Sequence, residues 1–253
     1  MTLSPVLHLC RLLPSAGLLL LVAGCQTSGN LATEPDFSGV WEMADYSLVR
    51  RAELNNPSFT PEAQEWQEKY TQNYDGVIDD PNKFCVRKGM PWTMTSRARG
   101  YPTEIYQTED QIFMIFEGSD NHRKIHLDGR TKPEYYGPSS EGFSVGWWEG
   151  ETLVIETTGM IATEYPNPYM RGYDAKVTER WTLEEHPEYG QVINIDVTVE
   201  DPEIYLEPAK GQQVWKRAPE GTVAGGYNCT DSLWDTYIRE RKEELGAPDS
   251  PSA

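Results

Sequence analysis

The chain has 253 residues, with 40 acidic side chains against 22 basic ones and a formal net charge of −18. So acidic a surface repels phosphate backbones and anionic headgroups, which argues against nucleic acid or electrostatic membrane docking as partners. Eight Trp and fourteen Tyr argue against a disordered chain and call for a folded body with a sizeable core.

The first element in chain order is a leader. Arg11 precedes a leucine-rich apolar run over residues 12–22, too short to be a retained transmembrane helix, and Ala23 and Gly24 lead into Cys25. That layout resembles a bacterial lipoprotein signal. The resemblance implies that residues 1–24 are removed and that Cys25 becomes the lipidated first residue, with Gln26 favouring the outer membrane. The expected location is the cell envelope, facing the periplasm, with the membrane as a partner through acyl chains alone; each buried methylene contributes about 0.8 kcal/mol. With Cys10 removed and Cys25 acylated, Cys85 and Cys229 are the cysteines left to pair in an oxidising compartment. A bridge over so long a loop is worth roughly 4–5 kcal/mol in the chain-entropy model; the alternative is two separate buried thiols.

Residues 25–35 read as a polar tether, residues 36–245 as a single domain and residues 246–253 as a tail. Asp36-Phe37-Ser38-Gly39-Val40-Trp41 reads as a turn entering a first strand at Gly39. A helix is predicted over residues 61–70, where Thr60 offers an N-cap, Pro61 suits the first helical position, and Ala63, Trp66 and Tyr70 recur on one face. Strands are then predicted over residues 103–108, 111–117, 123–127, 143–148, 152–157, 176–183, 191–199 and 212–217, joined by turn residues such as Glu149-Gly150-Glu151. The last element is an amphipathic helix over residues 232–245, stopped by Gly246 and Pro248. About nine short strands at regular spacing point to an antiparallel β-barrel, with a β-sandwich as the alternative.

Gly39-x-Trp41 at the start of an all-β domain resembles the opening of lipocalins and related calycin barrels. That resemblance implies a tryptophan closing one end of a barrel able to hold one small ligand. A longer series resembles a family of uncharacterised exported bacterial proteins. It comprises Asp128-Gly129-Arg130, the block from Gly146 to Thr157, Val177-Thr178-Glu179-Arg180-Trp181 and Val199-Glu200-Asp201-Pro202 with Tyr205. This second resemblance brings no reaction with it, and the chain departs from that family's pattern at Phe143, Trp147 and Ala209.

Strand alternation places Glu179 on the face of Val177, Trp181 and Leu183, and Arg123 on the face of Ile125 and Leu127. Opposite charges on apolar faces must pair or sit near strand ends, since an unpaired buried charge is costly. The two side chains are therefore candidates for orienting a ligand, for an acid–base site or for one internal ion pair. Arg123, Glu179, Trp41 and Trp181 form the candidate ligand-binding set.

No catalytic signature accompanies them. The chain lacks a Gly-x-Ser-x-Gly elbow, a His-Glu-x-x-His motif and a Gly-rich phosphate loop. His122 and His126 stand roughly 13 Å apart along a strand, too far to share a zinc ion, and Asp75, Asp79 and Asp80 do not follow a calcium-loop spacing. Neither a metal nor a cofactor is expected. The leading expectation is a lipid-anchored barrel that binds a small apolar molecule. The alternatives are a carboxylate-dependent enzyme acting on a carbohydrate or aromatic substrate, and an envelope-assembly partner.

Overall fold

The computed structural model describes residues 34–44, 57–76, 78–84, 86–95, 101–118, 121–163, 170–226 and 232–246. The expectations for Cys25, Cys85 and Cys229 lie outside these residues.

Nine strands close into a barrel in which each is hydrogen-bonded to the next and the last to the first. They are β1 (Gly39–Met43), β2 (Thr103–Gln107), β3 (Gln111–Phe116), β4 (Asn121–His126), β5 (Phe143–Glu149), β6 (Thr152–Thr158), β7 (Lys176–His186), β8 (Gly190–Glu200) and β9 (Ala209–Arg217). The sandwich alternative is not what forms. Strand alternation produces the inner wall: Ile112, Met114 and Phe116 of β3, and Ile193, Ile195, Val197 and Val199 of β8, point into one continuous buried cluster.

One pair departs from the antiparallel expectation. β4 and β5 run parallel, sharing only the partners Ile125–Ser144 and His126–Val145. The reason is parity. Antiparallel neighbours alternate in direction around a ring, so an odd number of strands cannot close without a parallel pair. Residues 127–142, which join β4 to β5, make that pairing possible by leading the chain back to a parallel start.

The strands also run longer than their apolar patterns. β7 and β8 pair from Lys176–Glu200 to His186–Gly190, beyond the last inward apolar residue, Leu183. The ladder continues there because backbone pairing does not require apolar side chains.

The two ends of the barrel are built differently. At the end where the chain enters, Phe37 packs between Trp148, stacked at 5.9 Å, and Trp181, edge-on at 5.5 Å. Trp41 donates its Nε1–H to the Phe37 carbonyl at 2.8 Å and takes the Arg217 guanidinium on its ring face at 3.8 Å. Arg217 is held in turn by the Ser38 carbonyl at 2.6 Å and by Gln191. Gly39 is required here: its φ is +123°, and a Cβ would strike the Arg217 guanidinium. Gly-x-Trp is thus a latch made with the last strand.

The opposite end is covered by connections. Helix α1 (Pro61–Asn73) extends one turn beyond its prediction, capped by the Thr60 hydroxyl, and buries Ala63 and Trp66 in the barrel cluster. A short helix not predicted from the sequence, α2 (Trp92–Thr95), lies over the mouth with Met90 and Met94 fully buried. Gly89 seats it: at φ +65° its backbone lies so close to Ser140 that a Cβ would collide with the Ser140 carbonyl. The Met90 N–H donates to that same carbonyl.

Helix α3 (Ser232–Leu245), predicted with these bounds, makes a satellite cluster outside the barrel. Trp234 and Ile238 pack with Tyr74, Phe84 and Val86. Asp79 fixes it, accepting from the Tyr237 hydroxyl and from Arg241 Nε at 3.0 Å. Burial opposes the charge on Asp79, but these hydrogen bonds outweigh it and hold the carboxyl below its usual range.

Candidate functional site

The charged residues singled out by alternation meet inside the barrel. Arg123, on β4, is 2 % exposed and Glu179, on β7, is 0 % exposed; Arg123 Nη2 is bonded to Glu179 Oε2. Between them stand two hydroxyls that also face inward. Ser144 accepts from Arg123 Nε and Nη2 at 3.2 and 3.1 Å, Thr157 accepts from Nη2 at 2.9 Å, and the hydroxyls lie 2.8 Å apart. Trp181 reaches the other carboxylate oxygen of Glu179 at 3.4 Å. Arg123 thus spans from β4 over β5 and β6 to β7. Of the alternatives open at the level of sequence, an internal ion pair is what forms.

Trp181 belongs to this network and also borders the aromatic floor, since its ring lies 6.4 Å from Trp215. Trp41 does not join Arg123 and Glu179; it is committed to the latch at the chain-entry end.

A second polar group lies beneath the plug formed by α2, and sequence reasoning missed it. Glu141 Oε1 accepts from Asn121 Nδ2 at 2.6 Å and from the Thr93 hydroxyl at 3.0 Å, tying the β4–β5 connection to β4 and to the plug. Gln213, on β9, donates to the Thr95 carbonyl at 3.3 Å, tying the plug to the opposite wall. Burial pushes the Glu141 carboxyl up from its usual range, even though Asn121, Arg123, Thr93 and Arg171 all favour its charge. Burial therefore works against a negative charge at Glu141 itself.

Not all of the polar capacity here is used. Arg123 Nη1, Glu141 Oε2, Gln213 Oε1 and Trp215 Nε1 are buried with no hydrogen-bond partner among the described residues. Gln213 and Trp215 share the inward face of β9. Buried polar groups are nearly always paired, so each of these leftover atoms calls for an explanation. Alternation within the predicted last strand could have revealed Gln213 and Trp215. Glu141 had no such signal, being one acid among forty.

The other candidates lie elsewhere. His126 stacks under Phe143 at 4.8 Å, and burial, followed by Arg130 and Lys124, lowers its pKa; His122 lies against Phe113 at 6.1 Å. Asp79 is engaged by α3. Among the described residues no group of His, Cys, Asp and Glu side chains is arranged to hold a metal ion, and no helix is long and apolar enough to cross a membrane. Compared with known proteins, the chain matches no family model and no curated protein.

Proposed function

We propose that this chain is a lipid-anchored envelope protein whose barrel carries one small, largely apolar molecule. The observation that carries the reading is the combination inside the barrel: apolar and aromatic walls, with buried polar atoms of Arg123, Gln213 and Trp215 that none of the described residues satisfies. Small-molecule sites have this composition, an apolar surface with a few placed polar groups. Met90 and Met94 of the plug are the side chains such a molecule would displace, and methionine is the residue best suited to repacking.

Catalysis by inward carboxylates has less support. Glu179 is committed to Arg123 and Trp181, and Glu141 has no second free carboxylate beside it among the contacts described.

The test is native mass spectrometry of the purified full chain together with titration by N-phenyl-1-naphthylamine, an apolar fluorescent probe. A carried small molecule or saturable 1:1 probe binding is expected; the absence of both overturns the reading. The anchor is proposed from the Arg11-to-Cys25 pattern, and Cys25→Ser should shift the protein from the membrane fraction to the soluble one. The Cys85–Cys229 bridge is part of the same proposal, and a change in intact mass on reduction would report it.

A further inference from the structure

The leftover polar atoms specify more than the presence of a ligand. Arg123 Nη1 and Trp215 Nε1 are donors, and both belong to one connected inner surface: Arg123 bonds Glu179, Glu179 bonds Trp181, and the Trp181 ring lies 6.4 Å from that of Trp215. Gln213, two residues from Trp215 on the same face, offers an acceptor, because its amide nitrogen is already given to Thr95. All three residues are more than nine-tenths buried. The surface around them is apolar, with Phe116 edge-on to Trp215 at 6.4 Å and Met114 opposite Arg123 in the ladder.

Charge then decides between oxygen-bearing groups. A carboxylate or sulfonate could accept from the same two donors, but the charge of Arg123 is already matched by Glu179. An anionic ligand would bring a second negative charge to one guanidinium in a buried interior, where an unmatched charge is strongly disfavoured. An uncharged carbonyl or hydroxyl oxygen accepts such an N–H group without that cost. A plain hydrocarbon would leave these donors unpaired, the costly state for a buried polar group.

We propose that the barrel interior selects an uncharged, mostly apolar ligand bearing an oxygen acceptor, a carbonyl or hydroxyl, received by Trp215 Nε1, with Arg123 Nη1 as a further donor on the same inner surface. This rests on the reading of the barrel as a small-molecule carrier. The selectivity is a property of the wall, so it applies to any ligand of suitable size.

The experiment uses three fluorescent 2-dimethylaminonaphthalenes that share one ring system and carry at position 6 a hydrogen, a propionyl group or a sulfonate. Each is titrated into the full chain. The propionyl compound is expected to bind about tenfold tighter than either of the others, the ratio that one net hydrogen bond of about 1.4 kcal/mol supplies. Trp215→Phe, which removes the N–H and keeps an aromatic ring, should cut that preference, read as the ratio of propionyl to unsubstituted affinity within each protein, several-fold. Equal binding of all three, or tightest binding of the sulfonate, overturns the selectivity while leaving the carrier reading standing. No saturable binding of any of them removes both. If Trp215→Phe does not fold, the ranking on the parent protein decides alone.

Discussion

Arg123 carries two burdens, and they can be separated. It neutralises Glu179 in the barrel interior, and it crosses the narrow junction between β4 and β5 with bonds to Ser144 and Thr157. Breaking a buried pair strands the other charge, so Arg123→Met should cost about 3–5 kcal/mol in urea unfolding. Adding Glu179→Leu should restore most of that, because Ser144 and Thr157 still bond each other. A double variant no more stable than the single one would show that crossing the junction outweighs charge matching. Glu141 makes a different test. Its carboxyl is raised by burial, so the stability tied to its neutral form is fully present below the ordinary carboxyl range and is lost as pH rises through the raised value. Glu141→Gln keeps the acceptor used by Asn121 and Thr93 and cannot ionise. Its melting temperature relative to the parent should climb as pH is raised from 4 to 8, and a constant difference would contradict the sign.

Among the elements, the junction of β4 with β5 is the shortest ladder, two partner pairs against eleven for β7 with β8. Few backbone bonds guard its amides, and local opening follows local bond density. Hydrogen exchange followed by mass spectrometry should find the amides of β4 and β5 facing this junction exchanging well before those of the β7–β8 hairpin. Equal protection would mean that the Arg123 bonds make up for the missing ladder. The plug is a second element whose properties follow from contacts outside itself. Four residues of helix have no stability of their own, and α2 stays in place through Gly89, Thr93 and Thr95.

For the whole molecule, the parts legible in the sequence were those with a local physical signature. The nine strands had alternation and turn residues; α3 had an apolar face and a Gly-Pro stop; Arg123 and Glu179 were visible as charges on apolar faces. The parallel junction had no such signature, because it arises from counting strands around a closed ring. The plug was illegible because Trp92–Thr95 carries no helical repeat, and Glu141 because its partners come from residues 93 and 121.

The odd strand count also bears on how the molecule assembles. β1 to β4 and β5 to β9 are each a run of antiparallel neighbours, and the cylinder exists only when these two sheets meet twice, at β4 with β5 and at β1 with β9. Within β5 to β9, chain neighbours pair after short excursions, whereas closure at β1 with β9 joins Trp41 to Arg217 across most of the sequence. Contacts so distant in the chain are entropically expensive to form and come late. The Gly39–Trp41–Arg217 latch joins the most distant parts of the barrel, and without it β1 to β9 would be a curled, open sheet with two unpaired edges.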